Sequence, residues 1–186
     1  MTNILYFHGF GSSFDPSSEK IKTLSTLGKV SGYDIDYTAG ASAVIDAALA
    51  EIGESDSHYD LLVGTSMGGW LAMVAGRLSG VPFVAMNPCM DPDVSLLSYK
   101  GEGIDYAGRS YKLTEDHIKS YFTPDPQNGI VLLDKCDEVI PYTKTVEQLK
   151  RQVPHYLFDG GSHRFDSTKK ALPLIDHLIT ASRYSL

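Results

Sequence analysis

The sequence predicts a three-layer α/β/α sandwich built on a mostly parallel sheet. Three observations lead there: short apolar β-rich runs alternate with segments of helical periodicity, residues 61–86 read as a clear central βαβ unit, and glycine or proline punctuates the joins. The 186 residues, 42% of them hydrophobic and 21% charged, are read as one globular domain spanning residues 1–186.

The first strand is expected near Ile4–Phe7. Asp15-Pro16 then has the form of a helix N-cap followed by proline at the first helical position, with Ile21, Leu24 and Leu27 as the apolar face and Gly28 as the stop. A half-exposed strand is expected at Tyr33–Tyr37, where Asp34 and Asp36 alternate with apolar residues. Val44, Ala48, Leu49 and Ile52 mark a second helix that ends at Gly53, and Leu61–Val63 is the next strand. Met67, Trp70, Leu71, Val74, Ala75 and Leu78 recur at helical spacing up to Gly80-Val81-Pro82, which precedes a buried strand at Phe83–Met86.

Residues 88–129 break the pattern, with four prolines, several glycines, four tyrosines and one expected helix from Thr114 to Phe122, and are read as a cap-like insertion. Strand Ile130–Leu133, helix Pro141–Arg151, strand His155–Phe158 and a last helix near Leu172–Ala181 complete the order, with Pro173 suited to a first turn.

Charge and composition narrow the partners. A formal net charge of −7 without a basic cluster disfavours nucleic acid, whose phosphates are bound by basic charge. The N-terminus has no basic segment and only four apolar residues before His8, too few for a signal peptide, and no run is long enough to span a bilayer. A cytoplasmic location is therefore expected. Cys89 and Cys136 lack metal-type or C-x-x-C spacing and are read as reduced, small buried hydrophobes.

The chemistry centres on Gly64-Thr65-Ser66-Met67-Gly68, a serine flanked by glycines between a strand and a helix. A serine on so tight a turn takes a strained backbone, and side chains two positions away would strike the neighbouring strand and helix. The motif alone is only a hypothesis, and needs a base and an orienting acid. His163, in Gly160-Gly161-Ser162-His163 after the last strand, is the candidate base; pairing it with Asp166 around a metal is disfavoured because no third ligand has suitable spacing. Asp137 is the favoured acid over Asp91, which follows the strand after the elbow, and over Asp134, which is expected to face solvent or a turn.

An oxyanion hole needs backbone N–H groups, and His8-Gly9-Phe10-Gly11 after the first strand is placed to supply one from Phe10, with Met67 as the second donor. His8 is read as holding that loop in shape, and Glu138 as a surface group. Tyr99, Tyr106, Tyr111, Tyr121 and Phe122 form either a flap or an apolar pocket over Ser66. Lys100, Arg109 and Lys112 are read as a solvated face ahead of an anion site.

These residues carry a resemblance. Tyr6-Phe7-His8-Gly9-Phe10 with Ser12-Ser13, the elbow Gly64–Gly69, Asn87-Pro88, Asp137-Glu138-Val139 and Gly160-Gly161-Ser162-His163-Arg164-Phe165 resemble the α/β-hydrolase superfamily, and within it the small bacterial esterase family typified by the YqiA and YcfP proteins. The resemblance implies a compact hydrolase fold lacking the first two strands of larger members, with esterase or thioesterase activity on small acyl substrates. The chain departs at Cys136, where the family tends to have glycine or aspartate, at Ser162, where an acidic residue is common, and most of all over residues 91–128. The expected enzyme uses Ser66, His163 and Asp137 with no metal or organic cofactor. The competing reading is an acyltransferase or acyl-CoA thioesterase on the same residues, and from another class a non-catalytic binding protein on a hydrolase scaffold.

Overall fold

The inner strands of the main sheet of the computed structural model, which describes residues 1–54 and 58–183, are buried along nearly their whole length because both of their faces are covered. Strands β1 (Asn3–Phe7), β2 (Lys29–Gly32), β3 (Leu61–Thr65), β4 (Phe83–Met86), β7 (Gly129–Asp134) and β8 (His155–Phe158) form one sheet in the order β2-β1-β3-β4-β7-β8. Every pairing in it is parallel.

Side chains alternate between the faces with the period of two that a strand imposes. Leu5, Phe7, Leu62, Phe83, Ala85, Val131 and Leu133 pack with Val44 and Ala48 of α2 (Ala41–Glu54), Trp70, Leu71 and Val74 of α3 (Met67–Ser79) and Leu149 of α6 (Tyr142–Leu149). Ile4, Tyr6, Leu61, Val63, Val84, Met86, Ile130 and Leu132 face the other way. They meet Ile21 and Leu24 of α1 (Glu19–Leu24) and Ala171, Ile175 and Ile179 of α7 (Thr168–Arg183). The result is the predicted α/β/α sandwich, with two cores separated by the sheet.

Several boundaries differ from the sequence expectation. The second strand is Lys29–Gly32, four residues before the expected Tyr33–Tyr37, because pairing with β1 sets Asn3 opposite Lys29 and Tyr6 opposite Gly32. The polar residues at 34 and 36 serve turns instead: Asp34 accepts the Phe14 amide and Asp36 caps the 3-10 turn Tyr37–Ala39 through the Thr38 amide. Ser18, and not Asp15, caps α1, while Asp15 accepts the amide and hydroxyl of Ser17 in the preceding turn. Helix α7 starts at Thr168, so Pro173 sits inside it. The stripe Ala171, Ile175, Ile179 buries on the sheet across the proline, and that burial outweighs one forfeited backbone bond.

Within 88–129 the structure holds more order than expected. Helix α4 (Pro92–Ser95) runs into a 3-10 turn at Leu96–Tyr99, an antiparallel hairpin follows from β5 (Gly101–Ile104) to β6 (Ser110–Leu113), and the expected helix shortens to α5 (Glu115–Lys119). Among the described residues no helix is long and apolar enough to cross a membrane.

Candidate active site

The sheet order places the ends of β1, β3, β4 and β7 side by side, and the loops after them converge at one edge. In open parallel sheets that edge, where the winding reverses between β1 and β3, is where ligands are bound.

Ser66 stands at the turn from β3 into α3 with φ 57° and ψ −119°, a conformation few non-glycine residues adopt. Glycine at two positions makes the turn possible: a Cβ on Gly64 would overlap the Gly68 carbonyl, and a Cβ on Gly68 would overlap the carbonyl of Phe7. Ser66 is the N-cap residue of α3, yet its side chain makes no capping hydrogen bond. A serine at that position ordinarily gives its oxygen to a helix amide. Here the hydroxyl lies 3.0 Å from His163 Nε2.

His163 Nδ1 is in turn 2.9 and 3.0 Å from the two carboxylate oxygens of Asp137. A carboxylate only accepts, so Nδ1 carries the hydrogen and Nε2 is left to accept from Ser66. The Asp137 side chain is 1% exposed, and its Oδ1 also accepts the amides of Val139 and Ile140 at 2.8 Å. Those bonds fix the carboxylate before the histidine meets it. The two other aspartates lie elsewhere. Asp91 pairs with Lys144 at 2.6 Å. Asp134, expected to face solvent, is fully buried and accepts the Asp166 and Ser167 amides at 2.8 and 3.4 Å.

The loop after β1 flanks the serine. A Cβ on Gly9 would stand 3.4 Å from Ser66 Cβ and 3.8 Å from its Oγ, in ordinary contact, so the glycine lies directly against the serine side chain. Phe10 is the next residue, and Met67 begins α3, where the first amides have no intrahelical acceptor. His8 braces this loop: its Nδ1 donates to the Gly9 carbonyl at 2.7 Å and its Nε2 accepts the Ile35 amide at 2.8 Å. Burial holds the His8 pKa below the ordinary imidazole value, which keeps that neutral pattern. Tyr37 donates to the His8 carbonyl and Tyr121 to the Tyr37 carbonyl, both at 2.7 Å, tying the loop to the insertion.

Three residues essential to this geometry escaped the sequence reading as site components. Asn87, at φ 42° and 1% exposed, accepts the Asp134 amide through Oδ1 at 2.9 Å and donates through Nδ2 to the carbonyls of Ser162 and His163 at 2.8 and 3.3 Å. It thereby clamps the histidine loop to the ends of β4 and β7. Asp134 holds the far side of the same loop. Lys20 of α1 reaches beneath, donating to Thr65 Oγ1 at 3.0 Å and to the Arg164 carbonyl, and Tyr6 shares that hydroxyl at 3.0 Å. The Asn-Pro pair directly after a strand was the one available signal, since asparagine tolerates positive φ better than most residues.

The remaining candidates sort by contact. Glu138, exposed as expected, accepts the His163 amide at 2.9 Å. Cys89 is buried, but Cys136, expected to be buried, is exposed in the turn that follows β7. Tyr121 is core, stacked edge-on against Trp70, whereas Tyr99 and Tyr111 pack on Phe10. Lys100 pairs with Glu115, and Arg109 with Asp34 and Asp105.

The family model described as Uncharacterised protein family (UPF0227) matches residues 3–180. A UPF0227 protein from Vibrio parahaemolyticus is 23% identical over 174 residues, covering 91% of this chain and 94% of the relative. One from Shewanella loihica is 26% identical over 176 residues, covering 88% and 91%. Among solved structures, Est1E from Butyrivibrio proteoclasticus superposes with a TM-score of 0.75 at 15% identity over 98% of this chain and 88% of its own. A monoacylglycerol lipase from Paleococcus ferrophilus gives 0.66 at 15% identity over 97% and 94%. At such identities the likeness concerns the fold, which is that of the α/β hydrolases.

Proposed function

The chain belongs to the UPF0227 family, and from the geometry around Ser66 we propose that it is a serine hydrolase that cleaves carboxylic esters of small molecules through an acyl-enzyme. One observation carries the reading: the hydrogen-bonded series Asp137–His163–Ser66 ends on a hydroxyl that a helix cap would normally consume and does not. The names of the structural neighbours, which include an esterase domain from Rhodothermus marinus and a monoacylglycerol lipase, point the same way.

In the proposed scheme Ser66 Oγ attacks the ester carbonyl while His163 Nε2 takes its proton. Asp137 keeps the imidazole in the required tautomer and stabilises the imidazolium. The carbonyl oxygen, now negative, accepts from the Phe10 and Met67 amides, and the start of α3 adds the positive end of its dipole. His163 then protonates the leaving alcohol. Water, activated by the same nitrogen, releases the acid and restores Ser66. Loss of one oxyanion donor typically costs about 3 kcal/mol of transition-state stabilisation.

The test is covalent labelling with a fluorophosphonate probe and ester turnover, in wild type and in Ser66→Ala. Labelling confined to wild type and mapped to Ser66 supports the reading. Labelling that persists in the variant, or fails on folded wild type, overturns it. Matching acyl-CoA thioesters against oxygen esters of the same acyl chain distinguishes an esterase from a thioesterase.

A further inference from the structure

The hairpin β5–β6 is tied down onto the loop that follows β1. The Tyr106 amide donates to the Gly11 carbonyl at 3.0 Å, and the Arg109 guanidinium donates to the Ser12 carbonyl at 2.9 Å, to Asp34 at 3.0 Å and to Asp105 at 2.7 Å. Beneath this joint lies a cavity of about 260 Å³ walled by Phe10, Gly11, Tyr99, Ile104, Tyr106 and Tyr111. Phe10 meets Tyr99 at 5.0 Å in a tilted pair and Tyr111 at 5.3 Å edge-on, so the inner wall is a set of aromatic faces already oriented by one another. On the rim, Ile104 is 75% and Tyr106 85% exposed. The one carboxylate in the wall, Asp105, is committed to Arg109 and to the amides of Ala107 and Arg109.

We propose that this cavity receives an uncharged, planar aromatic ring on the acyl side of the substrate; the proposal rests on Ser66 being the nucleophile. Position supports it, because Phe10, a wall of the cavity, directly follows the glycine that lies against Ser66. The acyl side follows from the sheet order. Phe10 lies beyond β1, on one side of β3, while His163 arrives from the β7–β8 side, where the leaving oxygen must be to receive its proton. Size limits the group to about one ring, since the volume falls just below the roughly 300 Å³ at which pockets for larger ligands begin. Aromatic walls discriminate by geometry, because edge-to-face contact rewards a π system over a saturated ring of equal bulk.

The experiment compares kcat/KM for ethyl phenylacetate, ethyl cyclohexylacetate and ethyl acetate in unlabelled wild type, Tyr106→Ala and Tyr99→Ala, with fluorophosphonate labelling of Ser66 checked on a separate sample of each protein. Wild type is expected to favour the phenyl over the cyclohexyl ester by about tenfold. Each variant is expected to bring that ratio toward unity. Tyr106 is a solvent-facing hairpin residue, so its removal leaves the folded core intact, checked by thermal melting. Equal turnover of the two ring esters, or a ratio unchanged in both variants, overturns the pocket. A preference for benzyl acetate over cyclohexylmethyl acetate, both esters of primary alkyl alcohols, with none in the acyl series, overturns the acyl assignment. When Ser66 labels and ethyl acetate is hydrolysed without ring discrimination, the pocket alone has failed; when Ser66 does not label, the nucleophile has failed first.

Discussion

Lys20 carries an ammonium group into the protein, and the consequence is a stability that rises with pH where most proteins lose it. Burial pulls its pKa from 10.5 down to about 8; Asp166 and Asp134 oppose the fall, and Arg164 adds to it. The unfolded chain therefore binds more protons than the folded one between about pH 8 and 10.5, and the unfolding free energy climbs with pH across that interval. At pH 7 the mismatch costs the fold roughly 3 kcal/mol, and at pH 9.5 roughly 1 kcal/mol, since the folded lysine is by then neutral and losing its proton costs less as the pH nears the unfolded pKa. Lys20→Met keeps the length of the side chain and removes the charge. Urea unfolding of both proteins at pH 7 and 9.5 should show the wild type gaining about 2 kcal/mol relative to the variant over those pH units. Stopping at pH 9.5 avoids Tyr6 and Tyr33, whose phenols burial raises to about 12 and whose influence runs the other way above pH 10. A difference between the proteins that stays constant, or shrinks with pH, would refute the reasoning.

Further measurements bear on the site. Asn87→Ala removes three hydrogen bonds and strands the buried Asp134 amide, an expected loss of about 3 kcal/mol in urea unfolding together with faster proteolysis of the 160–165 loop. Asn87→Asp keeps the acceptor but turns a buried carboxylate oxygen toward the Ser162 and His163 carbonyls, and should destabilise at least as much. Ser66→Gly frees the elbow from its strained φ and should raise stability by about 1 kcal/mol while abolishing fluorophosphonate labelling; a destabilised variant would show that the turn stores no strain. In native protein a disulfide reagent should titrate Cys136 alone. Cys89 is buried with its thiol pushed up to about 11, and should react only after denaturant is added.

The central strands were legible because a strand covered on both faces must be apolar throughout, as Leu61–Val63 and Phe83–Met86 are. The elbow was legible for a related reason: its backbone tolerates only glycine at Gly64 and Gly68, so the geometry is written in residue type. The hairpin was not. Its strands alternate between half-buried and exposed, and Gly103 is present to leave room for the Tyr111 ring across the pair, a reason invisible without the pairing. Asp134 read as a solvent-facing terminus because the amides that receive it lie 32 and 33 residues onward. The reach of Lys20 to Thr65, 45 residues away, is hidden for the same cause. Local pattern reports what neighbours in sequence demand, and polar groups buried by distant partners leave no such mark.

The span between Ser66 and His163 has a consequence for the chain during its synthesis. Their hydroxyl–imidazole contact joins positions 97 residues apart, and the histidine loop is anchored only after β8 has docked beside β7. Contacts of such separation close late, after the local βαβ units that precede them. A nascent chain that has already formed its elbow thus lacks the Ser66–His163 contact until the segment after β8 has folded back onto the sheet.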